Sequence, residues 1–429
     1  MRVLFTTLAR APHLFPVVPL AWACRAAGHE VRVASTPPLT GDILGTGLPG
    51  VVLGRDVDLA ATAGRKAVAA LYTHSQWPAD WPVRLHLLDH EQRALLETYG
   101  RNRVKAAAAM VDDLAGFARE WRPDLVVHDM ASLAGTVAAA ALGVPDVSHR
   151  TGSPACHPAE LGALGDAPLP EYARLFDRFG VDVRATPTMA LEPCAPSMRF
   201  TTSGSFVPVR YVPYNGPGVL PNWLREPRRR PRVCITWGHT MPRSVLGAAA
   251  VEPYREAVDA VRQLRVEVLV VSTAAQLDLL GEPPDGVRFA ESAPLQLVLP
   301  FCDAIVHQAG DGTTMTAASL GLPQLAITRR PEPAVNGDRL AATGAGLHLR
   351  YQELLGDAAR KDTVRAAVGE LLSDPSYLDA ARRLREEIAG QPPPAELVPA
   401  LRALAGAAAG GAGQRGRIPV DLGSNAVEA

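Results

Sequence analysis

The stretch Val306-His307-Gln308-Ala309-Gly310-Asp311-Gly312-Thr313-Thr314 sets a histidine and a glycine turn between an apolar run and a helix-like segment. The residues before it, Cys302 to Val306, read as a short buried strand, and Thr314 to Leu320 read as a helix opening. A strand that turns through glycines into a helix start is a phosphate-binding geometry. Gly310 and Gly312 let backbone approach a ligand, unpaired amides at the helix start face an anion, and Thr313 and His307 add side-chain donors. No Lys follows the glycines, so this is not a Walker loop, and a third glycine is missing for G-x-G-x-x-G. The bland alternative for the turn alone is a strand-to-helix connection without a ligand.

Outward from this turn, short apolar runs alternate with helix-period segments, the pattern of parallel βα units. Strands are expected at Val3–Leu8, Glu30–Ala34, Leu125–Val127 and Val144–Val147, with a helix over Val17–Ala27. A second series restarts at Arg232–Gly238 and continues at Glu267–Val271, Ala304–Val306 and Gln324–Ile327. Between the halves, Val212 to Gly218 is rich in turn formers. The expectation is an α/β protein of two Rossmann-like domains facing across a cleft. Residues 1–215 form the first domain, 216–230 a linker, 231–390 the second domain, 391–405 a C-terminal helix packing back on the first domain, and 406–429 a disordered tail.

A chain of 429 residues suits more than one core, and 47% hydrophobic with 20% charged residues describes a soluble globular protein. A net charge of −1 gives no footprint for nucleic acid, and the basic run Arg225–Arg232 reads as a solvated linker. The opening Met1–Leu8 is too short for a signal-peptide core, and no membrane anchor is expected. Five scattered cysteines without a Cys-x-x-Cys pair argue against zinc or a disulfide framework and fit a reducing cytoplasm.

Two groups of residues suggest chemistry in the first half. His13 follows the first strand in a loop that should open into the cleft, and a neutral imidazole can accept a proton from an attacking hydroxyl. Asp129, after the strand at 125–127, is the candidate to orient that ring, whereas Asp124 sits at the strand's entry end and reads as a turn residue. Residues 54–100 break the alternation, with Trp77-Pro78 and Trp81-Pro82 near His74, His86 and His90. This insertion reads as a lid, a partner surface or an acceptor pocket, with Trp77 and Trp81 as acceptor contacts. Neither those histidines nor Asp56-Val57-Asp58 is expected to bind metal.

Four further stretches make a resemblance specific: His13 to Trp22, Ala26 to Ser35, Tyr211 to Gly216, and Arg383 to Glu387. With the glycine turn, Leu322–Ile327 and Asn336–Gly346, they resemble the GT-B-fold deoxysugar glycosyltransferases of bacterial macrolide and anthracycline biosynthesis, over roughly residues 1–405. The resemblance implies an inverting enzyme that moves a deoxyhexose from a TDP-sugar to a polyketide-type aglycone. It implies no cofactor besides that co-substrate.

It further implies His13 as general base with Asp129 as its partner. His307, Gly310, Gly312 and Thr313 would hold the diphosphate with Gly238 and Thr240, and Glu291–Pro294, including Ser292 and Ala293, would contact the base. A haem-less cytochrome-like auxiliary protein and a homodimer are partners the resemblance admits. Two departures stand out. Ala309 and Asp311 replace the glycine and alanine usual in His-x-Gly-Gly-x-Gly-Thr, and Glu332-Pro333 replaces an Asp-Gln pair that holds sugar hydroxyls. Asp311 must turn away from a diphosphate, accept amides or recognise a sugar group, while Pro333 favours a deoxygenated sugar. The rivals are a nucleotide-sugar epimerase on the same architecture and a non-catalytic homologue that activates a true transferase.

Overall fold

In the first half, the apolar runs become strands buried on both faces, as a parallel sheet covered by helices requires. The computed structural model describes residues 1–58, 69–70, 77–152, 168–200, 206–238, 251–354 and 356–410. Strands β1 (Arg2–Thr6), β2 (Glu30–Ser35), β3 (Gly50–Val52), β4 (Leu125–Asp129), β5 (Asp146–His149), β6 (Met189–Glu192) and β7 (Val207–Pro208) form one sheet. Its order is β3-β2-β1-β4-β5-β6-β7, with every pairing parallel. The second half repeats the plan with β8 (Arg232–Thr236), β9 (Glu267–Ser272), β10 (Val287–Glu291), β11 (Ala304–His307), β12 (Gln324–Thr328) and β13 (Gly346–Arg350). Their order is β10-β9-β8-β11-β12-β13, again parallel throughout.

Each sheet reverses its winding once, between β1 and β4 in the first and between β8 and β11 in the second. A crevice opens at the carboxyl ends of strands at such a reversal. His13 and Asp129 follow β1 and end β4, while Gly238 and the His307 turn follow β8 and β11. Both candidate groups therefore sit where an open α/β sheet binds ligands.

One predicted boundary changes. The last helix is Pro394–Gly410, so residues 406–410, assigned to a disordered tail, continue it; three alanines, the best helix formers, outweigh the flanking glycines there. Residues 411–429 lie outside the described residues. As expected, this helix packs back on the first domain, where Leu397, Leu401 and Leu404 share a core with Val3, Leu14 and Leu20. The two halves also meet before the predicted linker. Cys194, Met198 and Tyr211 share a core with Ala309, Met315 and Leu384, so the end of the first half is already packed onto the second. In the basic run, Arg229 and Arg230 are exposed, but Arg232 is buried and bonded to Glu267 at 2.8 and 3.0 Å. Among the described residues, no helix is long and apolar enough to cross a membrane.

Candidate active site

Asp129 is fully buried at the end of β4 and accepts three hydrogen bonds. Its Oδ2 takes the Leu8 amide at 2.7 Å; its Oδ1 takes the Ala131 amide at 2.7 Å and His13 Nδ1 at 2.9 Å. Burial alone would raise its pKa, but His13 and the two amides outweigh burial and hold the carboxyl below its ordinary range. With an ionised carboxylate on Nδ1, the His13 proton sits on that nitrogen and the Nε2 lone pair is left for a substrate hydroxyl. His13 comes from a short helix, Ala11–Leu14, and keeps 19% of its side chain exposed. Asp124 instead accepts the Arg2 amide at 2.7 Å at the far end of the strand, a structural tie.

Beside this pair lies a recess with a mixed lining, in which Leu8, Met110 and Leu133 stand with Arg10, Arg55 and Asp56. Such a lining offers apolar contact together with polar groups. Among the described residues, no group of three or more His, Cys, Asp or Glu side chains is placed to hold a metal.

Across the cleft, β11 runs through the glycine turn into the helix Asp311–Leu320. Gly310 caps that helix without a side chain, so the first-turn amides of Asp311, Gly312 and Thr313 have no intrahelical acceptor. His307 also supports the turn itself. It is wholly buried, its Nδ1 accepts the Ala309 amide at 3.0 Å, and burial lowers its pKa to about 4. A neutral ring that accepts from the turn on Nδ1 shapes it and carries its proton on Nε2, a buried atom without a hydrogen-bond partner among the described residues.

Ala309 has a φ of +60°, the left-handed region where glycine is the usual occupant. Asn336 holds it there by donating to the Ala309 carbonyl at 2.8 Å. The same Asn336 amide donates to Asp311 Oδ1 at 2.8 Å, and the Thr151 hydroxyl of the first domain donates to Asp311 Oδ2. Asp311 therefore turns away from the helix start and ties the two domains together.

Its charge still lies in the first turn that would receive a diphosphate. Asp311→Asn is expected to tighten TDP binding about tenfold by calorimetry, since two unit charges ~6 Å apart at an effective dielectric of ~20 repel by ~3 kcal/mol before solvent screening. Weaker TDP binding in the variant would instead mean that the links to Thr151 and Asn336 shape the turn.

The remaining predicted residues fall in several places. Gly238 has a φ of +68°, which favours glycine, and the end of the Gln308 side chain lies beside it, so the turns after β8 and β11 touch. Thr240 and His74 lie outside the described residues. Ser292 follows β10 with a φ of +48° and donates its amide to Ser272 O at 2.7 Å, while Ala293 is partly buried against the neighbouring core. Glu332 opens the helix Pro331–Ala342, 3.7 Å from Arg330, with Pro333 buried beside it.

Trp81 is not an open acceptor surface, whereas Trp77 is half-buried. Trp81 is 1% exposed and packs with Leu88, Leu96 and Val335 of the second domain, its Nε1 donating to Pro331 O at 3.4 Å. Trp77 meets it edge-on at 5.1 Å. Thr151, Asn336 and Tyr211, whose hydroxyl donates to Gly312 O at 3.2 Å, complete the turn's support and were not expected from sequence.

The chain matches the family described as "Erythromycin biosynthesis protein CIII-like" through its N-terminal domain over residues 22–238 and its C-terminal domain over residues 255–404. It is 38% identical to the 10-deoxymethynolide desosaminyltransferase of Streptomyces venezuelae, over 94% of this chain and 97% of that one. It is 37% identical to the aklavinone 7-beta-L-rhodosaminyltransferase of Streptomyces galilaeus, over 94% and 96% of the two chains. Among solved structures, the glycosyltransferase VinC in complex with dTDP superposes with a TM-score of 0.77 at 31% identity, over 95% of this chain and all of that one. The spinosyn rhamnosyltransferase complexed with spinosyn aglycone gives 0.76 at 30% identity, over 94% of this chain and all of that one. With two parallel-sheet domains, a site at each reversal of winding and this likeness over nearly its whole length, the chain belongs to the erythromycin biosynthesis protein CIII-like family and is a GT-B glycosyltransferase.

Proposed function

We propose that the enzyme moves a deoxyhexose from a TDP-sugar to a hydroxyl of a polyketide-type aglycone, with inversion and without a metal. The observation that carries this reading is the 2.9 Å bond from His13 Nδ1 to the buried Asp129, which leaves Nε2 as the proton acceptor. The acceptor hydroxyl gives its proton to Nε2 as its oxygen attacks the anomeric carbon. The bond from that carbon to the diphosphate oxygen breaks, and the leaving TDP keeps the electron pair. Asp129 steadies the imidazolium that forms, and the first-turn amides of Asp311, Gly312 and Thr313 take up the leaving charge. One-step displacement from the opposite face inverts the anomeric centre.

The substrate classes draw support from relatives named for desosaminyl and rhodosaminyl transfer and from solved neighbours complexed with dTDP or an aglycone. Pro333, with no side-chain donor or acceptor, favours a sugar already missing a hydroxyl. The same reading puts the reaction in a reducing cytoplasm, which suits the buried free thiols of Cys24, Cys194, Cys234 and Cys302.

Calorimetric titration with TDP and with UDP, in the absence of metal, tests the donor assignment. TDP is expected to bind more tightly than UDP. His307→Ala removes the acceptor for the Ala309 amide, a loss of ~1 kcal/mol, and should weaken TDP binding roughly fivefold. No binding of either nucleotide would turn the assignment to a non-catalytic partner protein.

A further inference from the structure

Behind the His13–Asp129 pair lies a second buried pair with no part in the steps above. His128 precedes Asp129 on β4, and alternation along the strand sends its ring to the other face, under the helix Leu133–Leu142. Gly135 makes the room, for a methyl there would meet His128 Cβ at 2.7 Å. The His128 Nδ1 lies 3.0 Å from the backbone carbonyl of Asp129. Its Nε2 lies 3.3 Å from Asp146 Oδ2 and 3.1 Å from Thr136 Oγ1. A carbonyl and a carboxylate only accept, so the ring satisfies both when each nitrogen carries a proton.

Asp146 is as buried as Asp129. Its other oxygen accepts from the Thr188 hydroxyl at 2.8 Å, the Thr188 amide at 3.1 Å and Arg184 Nη1 at 3.3 Å. It is therefore bonded as an anion on every side.

We propose that His128 is a positioning residue for sugar transfer: a buried imidazolium, paired with Asp146 and bonded to the Asp129 carbonyl, fixes the end of β4 and offsets the Asp129 charge felt by His13. The inference rests on His13 being the base. Burial opposes charge on His128, but the bonds to Asp146 and to the Asp129 carbonyl outweigh it and raise its pKa. The groups packed around the pair allow this assignment. From β5 comes Asp146 itself, while His149, in register with Asp129 on the opposite face, is bonded to Arg150 O and brought down to about 4 by burial. From the flanking helices come Thr136 and Tyr172, whose hydroxyl donates to Arg184 O, and from the chain before β6 come Arg184 and Thr188.

The test is transfer kinetics against pH for wild type, His128→Gln and Asp146→Asn, with TDP binding followed by calorimetry. In His128→Gln, kcat is expected to fall about tenfold while TDP affinity changes less than about twofold. The acidic limb of kcat/KM should move to higher pH in the same variant, because the Asp129 charge then acts on His13 unopposed and holds its proton longer. Asp146→Asn should move that limb in the same direction, because a buried His128 without its carboxylate partner gives up its charge and no longer offsets Asp129. Unchanged kcat and pH profile in His128→Gln overturn the proposal, and so does a loss of kcat with the limb unmoved, which would make His128 a packing residue. Should neither variant fold, the imidazole ¹⁵N shifts of wild type decide: a buried ring protonated on both nitrogens at about pH 8 supports it, and a neutral one overturns it. Loss of transfer in wild type, or full activity in His13→Ala, would strike the underlying reading instead.

Discussion

Replacing His13 by alanine is expected to lower kcat about a thousandfold while leaving the TDP dissociation constant within about twofold. The two effects separate because the groups belong to different halves of the molecule. His13 follows β1 of the first sheet, whereas the first-turn amides open a helix that follows β11 of the second. A positioned general base contributes about two to four powers of ten, so the variant loses ~4 kcal/mol of transition-state stabilisation with no nucleotide contact removed. Steady-state kinetics with a TDP-deoxysugar and an accepted aglycone, run beside calorimetry with TDP, measure both quantities. Equal activity in the variant would remove His13 from the role of base.

Asp129→Asn should reduce kcat comparably, though for a different reason. The carboxylate accepts from Leu8, Ala131 and His13 together, and an amide cannot accept on both atoms. An asparagine oxygen that keeps one backbone amide leaves its NH₂ against another donor, so the imidazole loses its fixed tautomer. That substitution should also destabilise the fold, which His13→Ala, at a part-exposed side chain, should do much less.

What the sequence could carry depended on how local the signal was. The central strands β1, β4, β8 and β11 are short, wholly or almost wholly buried apolar runs, and such runs announce themselves. β10 and β13 are edge strands with mixed burial, and β3 and β7 are only three and two residues long, so their residues read as ordinary loop or helix flank. The His13–Asp129 pairing was legible because each residue follows a recognisable strand, and parallel topology brings such ends together. The parts played by Thr151 and Asn336 were not. Each is a polar residue whose meaning lies in one contact made in the folded state, across 160 positions for Thr151 with Asp311 and 27 for Asn336 with Ala309. For His307 the residue type was informative but its direction was not, since a histidine at a strand end serves a ligand or a neighbouring amide with the same sequence. Trp77-Pro78 and Trp81-Pro82 posed the same ambiguity, because an aromatic-rich insertion suits a pocket wall and an interdomain anchor equally well.

The anchor reading of Trp81 makes the second large prediction: Trp81→Ala should cost about 3–5 kcal/mol of stability, the range for emptying a fully buried tryptophan site. The side chain packs between Leu88 and Leu96 of the insertion and Val335 of the second domain, and those neighbours belong to separate parts of the fold that cannot close on the vacated space together. Its 3.4 Å bond to Pro331 O is long and adds little, so Trp81→Phe should retain most of the stability. Pro331 opens the helix that carries Glu332, Pro333 and Asn336, the last of which fixes both Ala309 and Asp311. Loosening that helix should therefore raise the KM for the TDP-sugar more than the KM for the aglycone. An acceptor-pocket tryptophan would behave in the opposite way, with an intact fold and the loss concentrated in the aglycone KM. Denaturant unfolding with both KM values on one preparation distinguishes them, and the second outcome would return Trp81 to the acceptor site.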